Sequence, residues 1–305
     1  MNARIVALAI SLTVPSMAHA WCRTTTLRSM VVGECSMQGV PLAWRSMCTG
    51  FSLNVDGSPD IALEDVRTEA TAAAARWHAA PCDANGSTTP YFQLLPLQLL
   101  VTMDNADTQV LSGYNRSGLN SNTVSFNGVW HSDANHQLGT IAITLVSYDM
   151  NSGEILDADV ELNQATDANP DGFHFTIGTP DPTAADLPTI LTHEFGHLHG
   201  LGHSTVDTAV MWPSAGLGEQ RRMLRTDDVE AICDAYNPQY APENLTCNPT
   251  PYGGFMSNAY GGRVRGGCSV ARGLAPVRSP RAGLLLLGLA AVALAARART
   301  QSRKD

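Results

Sequence analysis

The chain has 305 residues, 44% of them hydrophobic and 15% charged, with a formal net charge of −9 at pH 7. Between Trp21 and Gly267 acidic side chains number 27 against 11 basic ones. That balance argues against nucleic acid as a partner.

The first element, residues 1–20, has a basic Arg4, an apolar stretch and a final Ala18-His19-Ala20. It reads as a secretory signal cleaved before Trp21, too short for a membrane anchor. A short N-terminal segment, 21–39, follows. Six cysteines (Cys22, Cys35, Cys48, Cys82, Cys233 and Cys247) lie between this signal and the C-terminal tail. In an exported chain an even number suggests three disulfides, with about 15 pairings open to the sequence.

Residues 40–238 form the body, and about 200 residues are ample for one packed core. Residues 51–55 alternate like a strand. Residues 60–79 predict a long helix with Leu63, Val66, Ala70, Ala73 and Trp77 on one face, closed by Pro81. Strands are expected at 123–126, at 140–148, and at 154–163. In the last of these, Ala158, Val160 and Leu162 alternate with Asp157, Asp159 and Glu161. The fold class is therefore α+β.

A second helix starts at Asp186, a good N-cap, with Pro188 in its first turn. It leads into His193-Glu194-Phe195-Gly196-His197-Leu198-His199-Gly200-Leu201-Gly202-His203. His193 and His197, four apart, project from one helical face, as two ligands of one tetrahedral Zn²⁺ must. Gly200 can turn the chain in a left-handed conformation and bring His203 back as third ligand, leaving a fourth position open. Glu194 lies one position round, where it can act as general base toward a water held by the metal. His199 matches no ligand spacing and is expected behind the site or exposed. The lone loop histidines His131, His136 and His174 are expected to be solvated.

The extended histidine motif, followed by Thr208-Ala-Val-Met211-Trp-Pro213-Ser214, resembles the metzincins. The segment Leu224 to Tyr236, with its Asp227-Asp228 pair, resembles their matrixin branch. The likeness spans roughly residues 40–238. It implies a mixed twisted sheet with long helices, and a small C-terminal subdomain below a zinc cleft. It also implies hydrolysis of protein or peptide substrates, with one catalytic Zn²⁺. By the same resemblance Met211 and Pro213 belong to a turn beneath the ligands, and Asp227 and Asp228 anchor the last helix and brace that turn. Their simpler reading is N-terminal capping, and both can hold together. Residues 141–146 correspond to an edge strand to which a substrate peptide could add, the alternative being an interior strand. Where relatives carry histidines for a second, structural zinc, this chain has Ile143 and Asp159, so that ion is not expected. Calcium on Asp157, Asp159 or Glu161 stands against a plainly solvated acidic face. No Pro-Arg-Cys-Gly sequence occurs, so a propeptide cysteine latch is not expected. The rival reading is a peptide-binding surface module of the same fold without turnover.

Residues 239–267, rich in Pro, Asn, Gly and Tyr, read as a flexible linker. Within 268–305, residues 282–296 are apolar or Gly and are bracketed by arginines. Fifteen residues make about 22 Å of helix, short of the roughly 30 Å hydrocarbon core. The Gly-Cys pair, short apolar segment and Arg-rich end resemble a myxobacterial-type sorting signal. That likeness implies processing at Cys268 and attachment to the cell surface. A retained membrane helix is the alternative. Nothing in the sequence sets the oligomeric state.

Overall fold

The computed structural model describes residues 20–27, 35, 38–45, 48–94, 98–100, 113–114, 122–132, 136–241 and 261–269. Its centre is a six-stranded sheet of β2 (Ser52–Asn54), β4 (Gln98–Leu100), β5 (Thr123–Asn127), β6 (Thr140–Asp149), β7 (Ile155–Asn163) and β10 (Gly261–Ser269), in the order β10-β6-β7-β5-β2-β4. Strands β4, β2, β5 and β7 run parallel, whereas β6 is antiparallel to β7 and to β10. Two short pairs complete the strands: β1 (Cys48–Thr49) with β3 (Gln93–Leu94), and β8 (Phe175–Thr176) with β9 (Ala185–Asp186). This is a mixed α+β fold, as expected from the sequence.

Among the described residues three α-helices join them: α1 (Leu63–His78), α2 (Leu187–Leu198) and α3 (Thr226–Ala235). Helix α1 carries a run of alanines, the best helix formers, and buries Val66, Ala70, Ala73, Ala74 and Trp77. These small residues let it lie close against α2, where Trp77 Nε1 donates to Thr192 O at 2.7 Å. The helix begins at Leu63, three residues later than the periodicity suggests. Asp60 is used elsewhere, its carboxylate taking bonds from Phe175 N at 2.9 Å and Gln164 Nε2 at 2.8 Å.

The main core lies between the sheet and these helices. Ala142 and Val146 of β6 and Ala158, Val160 and Leu162 of β7 meet Ile190, Leu191, Phe195 and Leu198 of α2 there. A second, small core of Trp130, Ile143 and Leu145 covers the far face of β6. The far face of β7 carries Asp157, Asp159 and Glu161, and all three are buried. A solvated acidic face was one expectation for them, and the structure corrects it. Strand β6 is also no free edge, because β10 pairs along its outer side from Gly261↔Asp149 to Ser269↔Thr140. Residues 261–267, expected as coil, can do this because strand pairing uses the backbone and asks little of Gly-rich side chains.

Disulfides join Cys22 to Cys35 and Cys82 to Cys233, and Cys48 is half of another. No helix among the described residues is long and apolar enough to cross a membrane. The apolar segment 282–296 and the leader up to residue 19 lie outside the described residues.

Candidate metal centre

Helix α2 is buried along its whole length, so its orientation is fixed by packing on every side. Asp186 caps its first turn, accepting from Thr189 N at 3.1 Å, and is itself held by the Arg222 guanidinium, whose Nε lies 2.9 Å from Asp186 Oδ2. At the other end, Trp44 Nε1 donates to Leu198 O at 2.8 Å and Tyr236 Oη to His199 O at 3.1 Å. Carbonyls that a helix C-terminus leaves unmet are thus supplied with donors from remote parts of the chain. Gly200 follows with φ of +82°, where a Cβ would meet Leu42 O at 2.3 Å. Backbone conformation and space both demand glycine at this turn.

His193, His197 and His203 come together beyond that turn, with one ligating atom from each within 4.8 Å of the others. His193 Nδ1 lies 2.7 Å from Val210 O, and His197 Nδ1 lies 2.9 Å from Leu201 O. A carbonyl can only accept, so each Nδ1 carries the proton and each Nε2 is left with a bare lone pair. Yet His197 Nε2 sits 3.1 Å from His193 Nε2 and 3.2 Å from His203 Nε2. Lone pairs facing each other repel unless a cation lies between them. Zinc bound at about 2.0 Å to three nitrogens of a tetrahedron spaces them by about 3.3 Å, so the donor set fits that ion in type, number and spacing. Burial lowers both buried imidazoles' affinity for protons, His197 to about 3 and His193 well below its ordinary value, and neighbouring histidines add to the effect. Both are therefore neutral, as ligation requires, at any ordinary pH.

Glu194 is fully buried, and Thr144 Oγ1 of β6 lies 2.6 Å from its Oε2 and 3.1 Å from its backbone oxygen. Under the histidines, Met211 packs so closely on Gly196 that a Cβ there would meet Met211 Sδ at 2.2 Å. Asp228 holds that turn by accepting from Val210 N at 2.9 Å and Met211 N at 3.0 Å, and from Arg225 N at 2.8 Å at the start of α3. Asp227, half-buried in the first turn of α3, has one carboxylate oxygen without a partner among the described residues. Pro213 is half-buried beside Ser214, whose carbonyl receives the Arg221 guanidinium, and that guanidinium also reaches Ala209 O at 3.3 Å.

His199 takes the first of its two expected places, buried behind α2 with Nδ1 2.6 Å from Phe195 O and its ring tilted against Phe92. One expectation about histidines fails. His136 is not a solvated loop residue. It stacks on Trp130 with ring centroids 4.0 Å apart, and its Nε2 lies 3.3 Å from Glu161 Oε2. His131 and His174 are exposed, beside Asp171 and Asp60 respectively. Thr144 and Arg221 escaped sequence reasoning. The signal for Thr144 was a lone hydroxyl at a helix-facing position of the aliphatic run Ile141 to Val146.

On the far face of β7, each acidic group is engaged by the protein. Asp159 accepts from Gly113 N and from Thr123 N at 2.9 Å, and Asp157 also hydrogen-bonds it. Glu161 accepts from Asn127 Nδ2 at 3.1 Å. These contacts leave calcium without support among the described residues.

Residues 117–237 match the family model described as Matrixin. Over 80 residues, 24% of this chain, it is 39% identical to Metalloendoproteinase 2-MMP of Arabidopsis thaliana, covering 21% of that protein. Over 93 residues, 30% of the chain, it is 37% identical to Metalloendoproteinase 5-MMP of the same plant, covering 23% of it. Metalloendoproteinase 1 of Glycine max is 40% identical over 58 residues, 19% of each chain. The chain thus spans about a fifth of the length of these curated relatives. Over residues 117–237 the chain is thus similar to the matrixins, and its α+β fold and histidine cluster agree with that likeness.

Proposed function

We propose that this protein is an exported, surface-attached zinc endopeptidase that cleaves extracellular proteins or peptides. The convergence of three Nε2 atoms, with the Nδ1 of His193 and of His197 each tied to a carbonyl, carries this reading. His193, His197 and His203 hold the ion. When bound, zinc supplies the acidification of a water molecule and the polarisation of a substrate carbonyl. Glu194 takes the proton of the attacking water on its carboxylate and returns it to the leaving amine nitrogen. Thr144 holds that carboxylate in one orientation by its bond to Oε2. Gly200, Met211, Pro213, Asp227 and Asp228 keep the histidines in register by shaping the turns around α2.

The domain limits in this reading are a leader 1–20, a segment 21–39, a catalytic body 40–238, a linker 239–267 and a sorting segment 268–305 processed at Cys268. The disulfides support an oxidising destination. Recovery of peptides beyond Arg297 from the mature surface form would overturn removal of the tail.

The test of the chemistry is digestion of denatured casein with and without chelator, set beside the Glu194→Ala protein. Removal of zinc should abolish cleavage. Glu194→Ala should keep zinc and fold while losing about 10²–10⁴-fold in turnover, the range for a positioned acid–base group. Near-normal turnover in that variant removes Glu194 from the mechanism. A wild-type protein that holds zinc and never cleaves is instead a binding module.

A further inference from the structure

A substrate held as an added strand needs a row of backbone N–H and C=O groups beside the catalytic residues. Strand β6 is the one that lies there, because Thr144 reaches Glu194 from it. Its inner side is taken by β7, with Thr144 opposite Val160. Its outer side is taken by the chain's own residues Gly261–Ser269, antiparallel and nearly unbroken, with Gly266 opposite Thr144 and Gly267 opposite Ile143. The segment's midpoint therefore crosses the sheet at the level of Glu194. Strand β10 also contacts α2, the helix that carries His193 and His197.

We infer that Gly261–Ser269 is the built-in occupant of the peptide-binding edge, an extended segment that must leave β6 before an outside substrate can pair there. The inference rests on the peptidase reading for its functional half; the seat itself rests on the register alone. Two features suit the segment to this role. Four of its nine residues are glycine, so at the level of Glu194 it offers pairing backbone with no side chain to wedge against the site. Being part of the same chain, it competes at an effective concentration on the order of mM without needing tight contacts. A segment seated about 90% of the time would raise the apparent KM for an outside peptide about tenfold, since only the remaining fraction is competent to bind. Release then follows whatever withdraws residues 261–269, such as a pull on the chain beyond Cys268.

The experiment uses the full chain and a variant carrying Arg265→Pro together with Gly266→Pro. Neighbouring amides of a strand point to opposite sides, so one of the two must face β6, and proline removes it. The melting temperature and the zinc content are taken for both proteins, so that a misfolded variant is recognised before KM is compared. Hydrogen exchange at residues 140–149 and the KM for a fluorogenic peptide are read in both proteins. The expected result is faster exchange in β6 and an approximately tenfold lower KM in the variant, both reversed by a synthetic peptide of sequence 261–269. Unchanged exchange in β6 overturns the seat. Faster exchange with an unchanged KM overturns the competition. Faster exchange with no hydrolysis by either protein supports the seat and overturns the peptidase reading, so the two failures are distinguishable.

Discussion

Two buried groups of metal-ligating side chains lie on opposite sides of the central sheet, and they differ in where their partners come from. On the helix side, His197 Nε2 lies 3.1 Å from His193 Nε2 and 3.2 Å from His203 Nε2. On the far side, Asp159 and Glu161 are met by backbone amides and by Asn127. Both sets are rich in ligand atoms. In the first, the Nδ1 protons of His193 and His197 go to backbone carbonyls and their Nε2 lone pairs converge, an arrangement whose cost a cation between them offsets. In the acidic row, Asp159 and Glu161 take their donors from the chain itself, as parts of the scaffold do. The comparison separates a site built for an ion from one that merely contains the right elements.

The largest expected effect comes from removing a member of each set. His193→Ala should abolish zinc binding and cleavage while leaving a folded protein, because the three histidine rings face one another and not the apolar core. Glu161→Ala should do the reverse, keeping full zinc by elemental analysis but losing about 2–4 kcal/mol of stability, as removal of a buried hydrogen-bonded charge does. Chemical denaturation read beside metal content checks both, and loss of zinc in Glu161→Ala would break the distinction.

Thr144→Val should have a smaller effect, about tenfold in kcat with zinc content and melting temperature near wild type, because one charge-assisted hydrogen bond of about 1.5–3 kcal/mol is lost. Thr144→Ser should restore most of it. A change confined to KM would show that the hydroxyl does not orient Glu194.

The narrowest effect, confined to one window of pH, concerns Asp159. Burial, reinforced by the nearby Glu161, pushes its carboxyl up to about 6, against the opposing pull of the Gly113 and Thr123 amides. The folded state therefore holds this proton more tightly than the unfolded chain, where the value is about 4. Its contribution to stability is fully present below pH 4 and is lost as pH rises to about 6. Asp159→Asn removes the titration, so wild type should lose stability relative to this variant across that window. Parallel melting profiles from pH 4 to 7 would sink the assignment.

These contrasts bear on what a linear sequence can show. The histidine spacing declares itself because helical period and glycine turn are local properties, and β6 and β7 follow from alternation, whereas β10 does not. The environment of Asp159 was not legible, since its partners at Gly113 and Thr123 arrive from a different part of the chain. His136 was misread for the same reason: its neighbours Trp130 and Glu161 meet only when β6 and β7 are paired. The late start of α1 turned on Asp60 finding Phe175 and Gln164, more than a hundred residues away. Periodicity reports which face a residue occupies; it does not report what covers that face.

The bond between Cys82 and Cys233 spans 151 residues, and every histidine of the centre lies within the loop it closes. A cut in any surface turn between those cysteines would leave two pieces still covalently joined, one contributing the end of α1 and the other α3. For a protein exposed to proteolysis in its own surroundings, this turns a nick from a dismemberment into a scar. Such wear would be invisible in mass under non-reducing conditions and would appear as fragments only once thiol is added.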